Sequence, residues 1–186
     1  ASYRVLQAAH KYSTMRELQM LSVVNERERL VKIETELQAQ IRPYLDLEGL
    51  QMMLTHQKTY DFLLKTEQLR FQTRWNQTPR VPKTNVLGHS YFVAVMTLLL
   101  ARSTGIEMCS RRIINNFFCA LFHDLPEAVT RDIISPVKQA TDALPDIVKR
   151  IEDEIAGREL VPLMEDFFVD ELRYYTNDEF VNRIRR

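Results

Sequence analysis

Apolar residues along the first part of the chain recur at steps of three and four, the spacing of one face of an α-helix. Positions 3–41 contain neither Gly nor Pro. Pro43 predicts that the helix ends at Arg42, because the helical backbone conformation is disfavoured for the residue before a proline. Thr14 and Glu17 have the spacing of a capping box, which indicates two helices in this stretch. The apolar positions that set the face are Leu30, Ile33, Leu37 and Ile41.

The same periodicity continues after the first break and is interrupted where Pro and Gly cluster. A further helix is predicted from about residue 47 to about residue 71, and a loop over 73–88, which holds two prolines and Gly88. No stretch alternates apolar and polar residues for long enough to predict a pair of strands. We therefore predict an all-α fold. The later helices are expected over about 90–103, 111–125, 144–168 (with a break at Pro162) and 177–186.

Composition narrows the class of protein. The chain has 186 residues and a 45% hydrophobic share, which excludes a disordered chain and suits one domain, or one domain with an extension. Lys and Arg number 25, as do Asp and Glu, so the basic excess of a nucleic-acid binder is absent. The most apolar run, Phe92–Ala101, is about half a membrane span, and the first residues have no apolar signal core. We predict a soluble cytoplasmic protein with no membrane partner.

Five residues with metal-binding or acid–base side chains follow the predicted loop. His123 and Asp124 are adjacent and close an apolar run, FFCALF, and His89 opens the preceding apolar helix. Imidazole and carboxylate together suit a borderline divalent cation such as Mn, Fe, Co, Ni or Zn. A buried carboxylate is costly unless it is paired or coordinated, which favours a ligand role for Asp124. Glu127 lies about one helical turn later, and Asp132 lies on an irregular stretch.

The joint pattern resembles the HD-domain metal phosphohydrolases. It comprises HSYFVA from His89, HDLPE from His123, TRDIISPVK from Thr130, and the pair Arg74-Trp75. Within that superfamily the sequence is most similar to the bacterial 5'-deoxynucleotidase-like branch, which hydrolyses deoxyribonucleoside monophosphates. The resemblance implies a multi-helix HD-domain bundle over residues 73–186. It leaves residues 1–72 as an N-terminal helical extension.

The resemblance also implies roles for single residues. His89, His123 and Asp124 match three metal ligands of the family. Glu127 and Asp132 match the acids that handle the attacking water and the leaving nucleoside oxygen.

Substrate contacts are expected from three further residues. The resemblance makes Arg74 a phosphate-binding arginine, and a guanidinium offers a planar fork that suits phosphate. Trp75 matches a residue that packs by the sugar, although a simple packing aromatic is an equal interpretation. Lys138 would add positive charge, or is a solvated lysine after a turn.

Three departures from the family pattern stand out. The family's fourth metal ligand is an Asp on a later helix, and counting from Asp124 places it beyond Arg186. The nearest substitute, Asp178, is interpreted as an acid of a helical first turn. Gly88 stands where an acidic residue is common. Arg131 stands where the family usually has Gly, and its side chain would narrow the pocket or supply a further cation to the substrate.

These observations predict a metal-dependent hydrolase of a nucleoside (deoxy)monophosphate, with a small-molecule nucleotide as substrate and no nucleic-acid partner. One alternative is an HD-type phosphodiesterase or guanosine-polyphosphate hydrolase; Arg74-Trp75 favours the monophosphatase. The other is a non-catalytic regulatory or assembly module, because the apolar face of residues 3–41 needs a partner. A homodimer is what the resemblance implies.

Overall fold

The computed structural model describes residues 2–75, 78–79, 81–103, 105, 107–131 and 141–176. Within these residues the chain forms α-helices and short 3-10 helices, and the only β-type contact is an isolated antiparallel bridge between Thr73 and Asn85. The predicted all-α class is confirmed. The boundary predicted between residues 72 and 73 is not tested by this architecture and stays a prediction.

The α-helices of the described residues are numbered in chain order. They are α1 (Ser2–Leu21), α2 (Arg27–Ile41), α3 (Glu48–Leu54), α4 (Lys58–Glu67), α5 (Val86–Ser103), α6 (Ser110–Phe122), α7 (Glu127–Thr130), α8 (Leu144–Glu159) and α9 (Asp166–Thr176). Single-turn 3-10 helices lie at Arg42–Tyr44, Gln68–Arg70 and Val161–Leu163. The chain divides into two compact units, residues 1–60 and residues 61–186.

In the first unit, α1 packs on α2 around a small apolar core that includes Ala8 and Ile41. The predicted pair of helices is present, and α2 ends at Ile41, just before the expected stop. The break between the helices lies after Leu21, so the capping-box interpretation of Thr14 was wrong. The Thr14 hydroxyl instead donates to the His10 carbonyl inside α1, at 3.1 Å.

The single helix predicted over residues 47–71 is wrong, because the structure divides it into α3, α4 and a 3-10 turn. The interruption is at His56, whose φ of 56° is left-handed and ends a run of helical hydrogen bonds. No Gly or Pro marks this position in the sequence. Left-handed backbone at a residue with a β-carbon is uncommon, so periodicity alone predicted continuity.

In the second unit, the antiparallel bridge and a capping side chain fix the start of α5. Asn85 Oδ1 accepts a hydrogen bond from the Gly88 N–H at 2.6 Å, which satisfies a donor that the first helical turn leaves open. The helix therefore begins at Val86, and the later start predicted at Ser90 was wrong. α5 packs on α6, and their buried residues are small. These buried residues are Ser90, Ala94, Cys119 and Ala120, together with Val86.

Helix α5 is also unusual for its composition. No Asp, Glu, Lys or Arg occurs between Val86 and Ala101. The uncharged part of the helix is therefore longer than the apolar run Phe92–Ala101 that was identified in the sequence. Of the helices in the described part of the chain, α5 is the one long and apolar enough to cross a membrane, with a mean hydropathy of 1.4. Core helices of soluble proteins meet the same criterion. The predictions of no membrane partner and of a cytoplasmic location stay predictions.

The last described helices, α8 and α9, contribute residues to the main core or pack against it. The predicted break at Pro162 is confirmed, since a 3-10 turn there separates α8 from α9. The helix predicted over 177–186 lies outside the described residues. The main core of the second unit is formed by Leu69, Val86, Leu125, Leu160, Met164 and Leu172.

Candidate metal centre

His89 lies in the first turn of α5, which the Asn85 cap holds in place. Its backbone N–H donates to the Asn85 carbonyl at 3.0 Å, and the neighbouring Ser90 is 1% exposed. The imidazole itself is 29% exposed. The helix therefore presents this side chain at the edge of the core, where solvent still reaches it.

His123 and Asp124 follow directly after α6. The helix ends at Phe122, and His123 keeps helical backbone angles as the residue that caps it. Leu125 is 1% exposed and belongs to the main core, so the turn is anchored on the side opposite to the solvent. This anchor holds the two polar side chains together at the end of α6, next to the first turn of α5.

These three residues form a group whose ligand atoms all lie within 4.8 Å of one another. The Nε2 atoms of His123 and His89 lie 3.2 Å and 3.9 Å from Oδ2 of Asp124. The imidazole rings are 5.5 Å apart between centroids. Atoms that bind one ion at about 2.0–2.2 Å must lie roughly 3–4 Å from each other, so the spacing fits a divalent cation.

The tautomer of His123 suits a ligand. Its Nδ1 lies 2.7 Å from the Ala120 carbonyl oxygen. A carbonyl oxygen only accepts, so Nδ1 carries the proton and donates. Nε2 faces Asp124 at 3.2 Å: when protonated it donates to that carboxylate, and once deprotonated it can offer its lone pair to a cation. A backbone carbonyl that orients a metal-binding imidazole in this way is a common supporting contact of metal sites.

Arg74 reaches the same carboxylate from the loop before α5. The Arg74 N–H donates to the Thr84 carbonyl at 2.9 Å, and the Val86 N–H donates to the Gln72 carbonyl at 3.0 Å. These two bonds flank the antiparallel bridge and fix the backbone beside α5. The Arg74 guanidinium then donates through Nη1 to Oδ2 of Asp124 at 2.7 Å.

The environment of Asp124 favours its ionised form. Burial acts to raise the pKa of Asp124, but a hydrogen bond from His123 and electrostatic attraction to His123, Arg74 and His89 outweigh it. The pKa therefore lies below its ordinary value. Because the carboxylate is charged at neutral pH, it can bind a cation without first losing a proton.

The other expected site residues are placed as follows. Glu127 is 8% exposed and begins α7, but it is not part of the group of close ligand atoms found among the described residues. Trp75 follows Arg74 with a left-handed φ of 54°, and it is 48% exposed. Asp132 and Lys138 lie outside the described residues, as does Asp178.

Two residues that position the site were missed by the sequence interpretation. Asn85 caps α5, and an Asn before an apolar helical run is a signal that could have been recognised. Gln72 donates through Nε2 to the Glu127 carbonyl at 2.8 Å and so connects the loop to α7. A long-range contact of this kind leaves no trace in sequence spacing.

The two departures from the family pattern that the structure describes have local consequences. Arg131 has a φ of 66° and a ψ of 162°, a conformation essentially reserved for Gly. This explains physically why Gly is favoured at such a position, and it leaves Arg131 with backbone strain. At Gly88 a β-carbon would meet Asn85 Oδ1 at 3.0 Å, so the Asn85 cap and a glycine fit each other.

Comparison with known proteins adds one match. The model of a protein family described as "HD domain" matches residues 66–186, about two thirds of the chain and all three residues of the close group. HD domains bind divalent metals, and the His–Asp group is compatible with that property. No curated protein matches the chain.

Proposed function

We propose that this chain, which belongs to the HD-domain family of metal-dependent phosphohydrolases, hydrolyses the phosphate monoester of a nucleoside 5'-monophosphate, with deoxyribonucleotides as the first candidates. The observation that carries the proposal is the convergence of Arg74 with His89, His123 and Asp124. An arginine beside a candidate metal site is suited to an anionic phosphate that a cation also contacts.

Each residue has a role in this proposal that its environment supports. His89, His123 and Asp124 would hold the divalent ion, which supplies a bound water of lowered pKa and polarises a phosphoryl oxygen. The Ala120 carbonyl keeps the lone pair of His123 Nε2 directed toward the ion. Arg74 binds the phosphate oxygens through its guanidinium.

The remaining roles come from the resemblance. We assign Glu127 the role of accepting the proton of the attacking water. Its place in the first turn after Asp124 supports this role. We assign Asp132 the role of handling the leaving nucleoside oxygen, and Trp75 the role of packing by the sugar. Lys138 would add charge near the phosphate.

The test is phosphate release from a panel of deoxy- and ribonucleoside monophosphates in the presence of Mn²⁺ or Co²⁺. Release that Asp124→Ala abolishes and Asp46→Ala preserves would support the proposal, because Asp46 forms a comparable arginine pair on the surface. The panel would also give the sugar preference.

Two results would overturn the proposal. Bound metal without release from any monophosphate would favour a diester or guanosine-polyphosphate substrate, to be assayed next. Neither bound metal nor release would favour a non-catalytic HD-type module that acts through assembly. The homodimer implied by the resemblance is a separate proposal, which sedimentation of the wild-type chain would test.

A further inference from the structure

Three side-chain nitrogen atoms converge on one oxygen atom, Oδ2 of Asp124. Arg74 Nη1 lies 2.7 Å from it, His123 Nε2 lies 3.2 Å from it and His89 Nε2 lies 3.9 Å from it. The closest of the three is the guanidinium. The candidate phosphate-binding residue is therefore paired with a candidate metal ligand.

This pair is shielded from water. The side chains of Arg74 and Asp124 are 21% and 13% exposed. Ionic interactions are screened less in such a place than on the surface, so both the attraction of Arg74 to Asp124 and its repulsion from a second cation are strong. A divalent ion and a guanidinium at one carboxylate oxygen are in competition.

The backbone allows Arg74 to change partner without losing its position. Its N–H is bonded to Thr84, and the bridge beside it is closed by Gln72 and Val86. Only the side chain has to move, and an arginine side chain has several rotatable bonds. The guanidinium can leave Asp124 while the backbone of Arg74 remains beside α5.

We propose that Arg74 alternates between two partners: it neutralises Asp124 when no metal is bound, and it transfers to the phosphate anion when a divalent cation takes Asp124. The part about phosphate rests on the proposed function. Metal and phosphate then bind cooperatively, since the metal releases the residue that phosphate needs. By linkage, phosphate strengthens metal binding by the same factor.

The alternative role for Arg74 is to orient Asp124 as a supporting contact of the metal site. The two roles predict opposite effects of removing the guanidinium. Loss of a competitor strengthens metal binding, whereas loss of an orienting contact typically weakens it by about 10–100-fold. The sign of the change in metal affinity therefore separates them.

In the experiment, the metal-free protein is titrated with Mn²⁺ in the presence and in the absence of inorganic phosphate. Calorimetry measures the binding, and electron paramagnetic resonance measures the Mn²⁺ that remains free. We expect Arg74→Gln to bind Mn²⁺ about tenfold more tightly than wild type without phosphate, within the usual range of coupling between sites. We expect phosphate to strengthen wild-type binding by about tenfold, and to have a much smaller effect in Arg74→Gln.

Two variants serve as controls. Arg74→Lys keeps the charge, but a single ammonium pairs less well with a carboxylate than a guanidinium does, so it should bind Mn²⁺ more tightly than wild type by a smaller factor than Arg74→Gln. Arg4→Gln removes the guanidinium of the exposed pair and should leave the Mn²⁺ titration unchanged. Circular dichroism would verify that each variant is folded, and the Lys variant still tests the sign of the change in Mn²⁺ affinity if the Gln variant unfolds.

Weaker Mn²⁺ binding in Arg74→Gln, or the same phosphate enhancement in both proteins, would overturn the exchange. These titrations need no turnover. Cooperative binding of Mn²⁺ and phosphate without nucleotide hydrolysis would overturn the proposed function but support the exchange of Arg74 between partners. Hydrolysis without cooperative binding would support the proposed function but overturn the exchange.

Discussion

Each of the two compact units contains an arginine–aspartate ion pair, and the pairs differ in their surroundings. In residues 1–60, Arg4 and Asp46 form two hydrogen bonds, at 2.9 Å and 2.6 Å. The guanidinium also donates to the Pro43 carbonyl at 2.9 Å and lies 5.9 Å from the centre of the Tyr44 ring. Its geometry is the better of the two, yet its side chains are 47% and 61% exposed.

In residues 61–186, Arg74 and Asp124 share a single hydrogen bond but are largely buried, with two imidazoles beside them. Water and salt screen the exposed pair, so good geometry adds little to stability there. The buried pair is screened less, and its carboxylate has other potential partners. Burial and neighbours, more than the bond lengths of a pair, therefore indicate a functional site.

The largest difference between the pairs is expected on removing the aspartate charge. Asp124→Asn should lower Mn²⁺ affinity by about 100-fold or more and nucleotide hydrolysis by about 1,000-fold, because a neutral amide is a poor ligand for a hard cation. Asp46→Asn should leave both unchanged. Atomic absorption would measure the bound metal, and initial rates would measure hydrolysis. Equal losses in the two variants would contradict the expected difference between the two ion pairs.

The next difference concerns the arginines. Arg74→Gln should lower kcat/KM for a nucleoside monophosphate by about 10–150-fold, because a hydrogen bond to a charged group contributes about 1.5–3 kcal/mol. Arg4→Gln should have wild-type kinetics. Steady-state rates at saturating Mn²⁺ would test it, and unchanged kcat/KM in Arg74→Gln would exclude contact between Arg74 and the substrate.

A smaller difference is expected in the free energy of unfolding of the metal-free protein. A double-mutant cycle on Arg74 and Asp124 should give a coupling of about 1–3 kcal/mol, because each single change leaves a shielded charge without its partner. The cycle on Arg4 and Asp46 should give no measurable coupling in 0.5 M salt, a concentration of roughly this order being enough to screen exposed charges. Urea unfolding would provide both values, and equal couplings would contradict the comparison.

The smallest effect concerns pH. The pKa of Asp124 is lowered in the folded protein, so its charge stabilises the fold above the unfolded value of about 3.9. That contribution is lost as the pH falls through the folded pKa. The difference in unfolding free energy between wild type and Asp124→Asn should therefore be constant near neutral pH and shrink in acid. A difference that grows in acid would show that the pKa is raised instead.

The helical class and the close group of the site could be predicted from sequence for a simple reason. Helical periodicity reports which face of an element is buried, and His123 and Asp124 follow an apolar run that had to be buried. Their proximity to His89 was implied by the family resemblance alone. The family match at residues 66–186 confirms the superfamily but does not test the deoxynucleotidase branch.

The remainder could not be predicted because it depends on backbone conformation and long-range contacts. His56 and Arg131 have positive φ values without being Gly, and nothing in their neighbours indicates it. The contact from Gln72 to Glu127 spans 55 positions, far beyond the range of helical spacing. The pairing of Arg74 with Asp124 likewise arises only when the loop folds back beside α5.

The cap of α5 has an evolutionary consequence. Because a β-carbon at position 88 would lie 3.0 Å from Asn85 Oδ1, these two positions constrain each other. A side chain at position 88 would require Asn85 Oδ1 to move by a few tenths of an ångström and so would disturb the cap. In a set of homologues the pair should therefore covary, with Asn at 85 accompanying Gly at 88. An acidic residue at 88 should accompany a different helix start, and ancestral reconstruction should find the two changes on the same branch.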